Sequence, residues 1–190
     1  MGDNYFNDET YKGVDYSKKY IIKGEYDTCI FVNCNFSNTH TSNIQFIDCE
    51  FVNCNFSNTI VKNTAFKNVR FEECKLMGVK FNECDPFLLS FQFNKCQLNV
   101  ASFYQLKLQN TIFMSCNLSE VDFTEVNLSN AVIDNCDLKL AIFDQTNIEN
   151  ANFRTSYNFE INPTENKMKN AKFSKSNVIG LLKKFNIIIE

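Results

Sequence analysis

FVNCNFSNTHTSNIQFIDCEFVNCNFSN, Phe31 to Asn58, sets an aromatic ring at Phe31, Phe36, Phe46, Phe51 and Phe56, five residues apart with one gap at Thr41. The beat continues through Phe66, Phe71, Leu76 and Phe81, with Val61 as a second weak member. After one slip it resumes at Phe93 and runs Leu98, Phe103, Leu108, Phe113, Leu118, Phe123, Leu128, Ile133, Leu138, Phe143, Ile148 and Phe153. A helix repeats every 3.6 residues and a strand every 2, so neither alone gives a period of five.

Two residues before each beat stands a smaller one, such as Cys29, Cys34, Thr39, Cys49, Thr64, Val79, Ala101, Val121, Ala141 or Ala151. Positions two apart on an extended segment point to the same side, so each pentad offers a large and a small group to one core. A chain that turns after every pentad, four pentads to a coil, stacks residue n on residue n+20 and makes a solenoid whose coils touch only their neighbours. Cysteine spacing tests this. Cys34, Cys54 and Cys74 are 20 apart, as are Cys96, Cys116 and Cys136, while Cys74 and Cys96 are 22 apart. Counted in pentads the two trios share one side, and the slip within Pro86 to Ser90 reads as a two-residue bulge that preserves the register.

The stretches CNFSN (Cys34 to Asn38), CNLSE (Cys116 to Glu120) and VNLSN (Val126 to Asn130) match the consensus A(D/N)LXX, and by them the chain resembles the pentapeptide-repeat proteins. The resemblance implies an all-β fold, a right-handed quadrilateral parallel β-helix, over 24–157. The segment RTSYNFEINPTENKMKNAKFS (Arg154 to Ser174) is similar to the closing segment of bacterial members of the Qnr and MfpA type. That divides the chain into an N-terminal cap, 1–23, the β-helix with its bulge near 86–90, and a C-terminal cap, 158–190. Tyr157 and Phe159 are expected to plug the last coil.

Beyond the plug, Ser176 or Asn177 is placed to cap a short helix, Val178 to Phe185, with Lys183 and Lys184 near its negative end. Phe185 to Glu190 reads as an apolar strand, and exposed Ile187, Ile188 and Ile189 would be a liability. Leu181, Leu182, Phe185 and these three isoleucines are candidate homodimer residues, since similar proteins pair through this end. The alternative is that the tail folds back on its own chain. Asn recurs two residues after the beat, at Asn33, Asn38, Asn53, Asn58, Asn110, Asn130 and others, where it suits a corner.

Composition sets limits on function. The 190 residues, 5 Gly and 2 Pro suggest one domain with no linker. The nine cysteines occupy inward positions without a C-x-x-C, so reduced buried thiols are expected and no metal site. His40 is the only histidine, and no catalytic or nucleotide-binding motif accompanies it, so no enzyme and no cofactor are expected. Met1 to Thr10 is polar and acidic and no apolar run reaches membrane length, which points to a cytoplasmic protein with no membrane partner.

Charge is the remaining signal. Residues 116–150 carry a net −6 and residues 61–115 a net +3. Mapped onto sides, Asp122 and Asp144 share one side, with Glu120 and Glu125 at its edges. Qnr-like proteins are similar to duplex DNA in shape and charge and protect type II topoisomerase, DNA gyrase, from quinolones. The resemblance therefore implies a DNA mimic in which these four carboxylates stand in for phosphates. Lys62, Lys67, Arg70, Lys75 and Lys80 oppose that reading. They favour instead a scaffold for an unrelated protein partner; direct nucleic-acid binding is not expected at a net charge of −3. Phe87, Leu88 and Leu89 offer either an exposed apolar contact or local repacking around the slip, and repacking is favoured.

Overall fold

The computed structural model describes residues 4–188. The strands are β1 (Asn4–Asn7), β2 (Thr10–Lys12), β3 (Gly24–Asp27), β4 (Ile30–Val32), β5 (Gln45–Ile47), β6 (Glu50–Val52), β7 (Ala65–Lys67), β8 (Val69–Glu72), β9 (Phe91–Asn94), β10 (Ile112–Met114) and β11 (Val132–Asp134). All pair in parallel, in two sheets ordered β1-β3-β5-β7 and β11-β10-β9-β8-β6-β4-β2. The first sheet begins one side of a quadrilateral β-helix, and the second forms the next side.

The third and fourth sides are columns of single parallel bridges. Asp15, Asn35, Asn55, Lys75, Gln97, Asn117, Asp137 and Tyr157 form one; Lys80, Ser102, Asp122 and Ile142 form the other. Register is n to n+20, as in Phe31 to Phe51. The slip lies where it is expected: Ala65 pairs with Asp85, but Val69 pairs with Phe91, so the three residues 66–68 face the five residues 86–90.

Aromatic stacking fills the axis. On the second side Tyr11, Phe31, Phe51, Phe71, Phe93 and Phe113 stack with centroids 4.8–5.4 Å apart and rings within 15° of parallel. Rings on adjacent sides meet edge-on, as Phe51 and Phe56 do at 89°. Offset stacks along the axis and edge contacts across it are the two arrangements that the ring quadrupole favours. Thr41, the weak member of the beat, is fully buried and is followed by Ile44, whose larger side chain stands at an inward small position and is also buried. A small centre is thus offset by a large neighbour, which keeps the core dense.

Corner geometry explains the asparagines. Asn33, Asn38, Asn43, Asn53, Asn58, Asn63, Asn68, Asn110, Asn130, Asn135 and Asn150 all have φ between 52° and 62°. Asn enters this left-handed region more readily than other residues with a side chain. Residues of less favourable type share the geometry, including Val100 (φ 60°), Glu120 (59°) and Glu125 (57°).

Three parts of the chain differ from expectation. Parallel pairing begins at Asn4 and continues through Lys172, so coils extend beyond 24–157 in both directions, and the N-terminal segment is itself a strand-paired coil. Segment 178–185 forms two 3-10 turns, Val178–Leu181 and Lys183–Phe185, in place of an α-helix. Gly180, buried against the Phe159 backbone with no room for a side chain, lies within the first of them. Asn177 does not cap that segment through its side chain. Its Nδ2 instead donates to the carbonyls of Phe153 (3.0 Å) and Ser156 (2.8 Å), closing the end of the rod. Of the expected plugs Phe159 is buried, whereas Tyr157 remains 46% exposed on the third side.

All nine cysteines are free and buried. They are more than small apolar groups. The Sγ of Cys54, Cys74, Cys96 and Cys136 donates to the carbonyls of Phe31, Phe51, Phe71 and Phe113 at 3.2–3.5 Å. Thr59 and Ser156 do the same with hydroxyls, to Phe36 (2.6 Å) and Ile133 (2.7 Å). At these pentads the ring residue's carbonyl is met by a thiol or hydroxyl from the small position of the next coil, whereas at others, such as Phe56 and Leu98, it accepts the N–H three residues on. Burial pushes the Cys49 thiol up to about 12 and raises Cys29, Cys84 and the Tyr26 phenol as well. These groups stay neutral when folded and ionise first when unfolded, so their contribution is complete below about pH 8.5 and declines as pH rises toward 12. The melting temperature should therefore hold steady from pH 6 to pH 8 and fall above about pH 9, and a thiol reagent at pH 8 should label the protein only after denaturation. Rapid labelling of the native protein would contradict this arrangement.

Candidate functional site: an acidic stretch of the fourth side

The repeat assigns each of its five positions a task. The ring points inward, and so does the small residue two before it. The residue just before the ring is often Asn or Asp, whose Oδ1 accepts the N–H two residues on: Asn35 from Ser37 (3.1 Å), Asn117 from Ser119 (3.0 Å), Asn127 from Ser129 (3.0 Å). The residue two after the ring turns the corner in the left-handed region. Only the residue just after the ring has no backbone duty, together with the side chains that project from the corners.

Each candidate carboxylate can be placed by this scheme. Asp122, just before Phe123, is half-buried and serves the backbone: Oδ1 accepts the Thr124 N–H at 2.9 Å, and Oδ2 accepts from the Ser102 hydroxyl at 3.3 Å. Asp144, just after Phe143, has no such duty, and its backbone carbonyl accepts the Glu125 N–H at 2.8 Å. Glu120 and Glu125 project from the two corners that bound this side, both exposed, and Glu125 accepts from Gln105 at 2.9 Å. The structure thus places all four on and beside one side, over two successive coils. Sequence reading missed the double use of Asp122, although the (D/N) position of the repeat carried that signal.

Toward the N-terminus the same side changes sign. Lys62 and Lys80 are exposed there, below Ser102 and Tyr104, so the side has a cationic half and an anionic half. Of the five cations that oppose the DNA-mimic reading, Lys67, Arg70, Lys75 and Lys80 form a ring, one to each side of a single coil. Glu72 and Glu73 of that coil pair with Lys95 at 3.7 and 2.9 Å, which further disperses it. At the C-terminal end Leu181 and Leu182 are half-buried, while Phe185, Ile187 and Ile188 are 49%, 55% and 88% exposed. Ile189 lies outside the described residues. Among the described residues no helix is long and apolar enough to cross a membrane, and no group of three or more His, Cys, Asp or Glu is placed to hold a metal ion.

Comparison with known proteins agrees with this geometry. A pentapeptide repeat region matches residues 25–92, and a pentapeptide repeats model of eight copies matches residues 122–156; together they span more than half of the chain. No curated protein matches the sequence. Among solved structures, a trypsin-treated variant of QnrB1, a plasmid-mediated fluoroquinolone resistance protein, superposes with TM-score 0.77 at 13% identity, covering 98% of this chain and 92% of that one. A second trypsin-treated QnrB1 variant gives TM-score 0.59 at 14% identity, covering 98% and 100%. At these identities the likeness is one of fold. The repeat, the coil register and the family matches agree, and the chain belongs to the pentapeptide-repeat family.

Proposed function

We propose that this protein is a non-catalytic interaction module that presents a rigid, flat-sided rod to a protein partner, and that the partner is DNA gyrase, met through the acidic stretch of the fourth side. The observation that supports this most is the position of Glu120 and Glu125. Both stand at left-handed corners, where Asn is favoured over Glu, and among the described residues neither carboxylate accepts a backbone N–H, so both are left to the surface. With Asp122 and Asp144 they form an anionic strip on a rod whose coils rise about 4.8 Å, a surface suited to a cationic groove that otherwise receives DNA. Fold likeness to QnrB1 is in keeping with this reading.

The division of the fourth side favours a second reading. Lys62 and Lys80 continue the same flat side with opposite sign, so a partner with a complementary division of charge would use more of it than a DNA-binding groove does. In that case the rod is a scaffold for a protein unrelated to topoisomerases. Under either reading the exposed Phe185, Ile187 and Ile188 are assigned, with Leu181, Leu182 and Ile189, to a homodimer contact.

Gyrase supercoiling assays with ciprofloxacin test the first reading. Wild type should restore supercoiling, more weakly as salt increases. The variant Glu120→Gln, Asp122→Asn, Glu125→Gln, Asp144→Asn should need on the order of tenfold more protein. Asp122→Asn retains the Oδ1 acceptor for Thr124, so lost charge and lost folding are kept apart. No protection by wild type would remove gyrase and leave the scaffold reading. Sedimentation velocity tests the dimer: wild type should sediment at twice the monomer mass, and Phe185→Asp with Ile188→Asp should return it to monomer. A wild-type monomer at high concentration would end the dimer assignment.

A further inference from the structure

The bulge on the first side places apolar groups in water beside cations. Phe87 and Leu88 are 65% and 66% exposed. The loop that carries them is well tied: Asp85 Oδ1 accepts the Phe87 N–H at 3.0 Å, and Ser90 N–H returns to the Phe66 carbonyl at 3.0 Å. Lys67 Nζ lies 5.9 Å from the Phe87 ring centroid, within the range of a cation–π contact. Repacking, the expected outcome for this segment, accounts for only part of it. Leu89 turns in against the core and Phe91 is buried within it, whereas Phe87 and Leu88 stay outside.

Beside the loop lies a groove of about 420 Å³, lined by Pro86, Phe87, Leu89 and Leu106, with Gln105 and Lys107 at its rim. Lys107 is exposed and forms no ion pair among the described residues. Two carboxylates lie nearby and keep their charge, Asp85 turned to the Phe87 N–H and Glu125 held by Gln105, and neither is paired with Lys107. The groove combines an apolar floor with one cation, Lys107, at its rim, and Lys67 stands beside Phe87.

We infer that this groove docks an extended protein segment in which an apolar side chain is flanked by carboxylates. The side chain would enter between Phe87, Leu89 and Leu106, leaving water for an apolar floor, and the flanking carboxylates would meet Lys107 and Lys67. Nucleic acid would satisfy the lysines and leave the apolar floor empty; a basic segment would be repelled. The groove lies on a different side of the rod from Asp122 and Asp144, so it does not depend on the gyrase reading.

The test uses the full chain and a fluorescein-labelled peptide of sequence Glu-Asp-Leu-Phe-Glu-Asp, read by anisotropy and by amide chemical shifts. Saturable binding is expected, with shifts confined to residues 85–91 and 105–107. Lys107→Glu should weaken it about tenfold and Phe87→Ser by a comparable factor, both with unchanged melting. The same peptide with Lys replacing its acidic residues should not bind. The inference is overturned by absence of saturable binding, by equal binding to Lys107→Glu, by shifts centred elsewhere, or by a DNA duplex that moves the same residues in place of the peptide.

Discussion

Every coil of this rod depends on the one after it. The N–H of Phe36 finds its acceptor on Asn55, that of Phe56 on Lys75, and the N–H of Asn55 returns to Cys34. A single pentad closes few hydrogen bonds of its own, and a single coil leaves its core open at both ends. Stacking residue n on residue n+20 answers both needs together. It pairs the backbone in parallel and sets ring upon ring along the axis at about 5 Å.

Once register is fixed, the surface follows from the positions that register leaves free. Inward positions are occupied by rings, thiols and hydroxyls, and Asn and Asp before the ring are tied to the backbone. Variation is left to the residue after the ring, to the corner side chains and to the bulge. Glu120, Glu125 and Asp144 come from the first two of these sources, Phe87 and Leu88 from the third. The acidic strip and the apolar groove can therefore change without disturbing the core, which is what a rod built to display surfaces requires.

Most of the fold was legible because Phe31, Phe51 and Phe71 repeat a spacing that no helix or single strand shares. The six stacked cysteines and the slip at 86–90 were legible for the same reason. Where the period fades, the sequence said less. Asn4–Asn7 pairs with Gly24–Asp27 although Tyr5 and Phe6 resemble an irregular cap, because the coil above supplies the pairing edge. Val178–Leu181 looked helical, yet close packing of Gly180 on Phe159 leaves room for only a tight turn. The four acidic residues were placed on their side by pentad counting alone. That Asp122 is partly spent on the Thr124 N–H required the hydrogen bonds, as did the role of the thiols as donors to buried carbonyls.

Separation of a register-bearing core from display surfaces is tested most directly by deleting Pro86 and Phe87. The deletion shortens the five residues facing 66–68 to three and brings Leu88 over Phe66 and under Leu108, restoring an unbroken 20-residue spacing. Thermal unfolding followed by circular dichroism should then show one cooperative transition at or above the wild-type temperature, since an exposed bulge has been replaced by a regular coil. Loss of the cooperative transition, or a fall of about 10 °C or more, would show that the bulge is part of what holds the coils together.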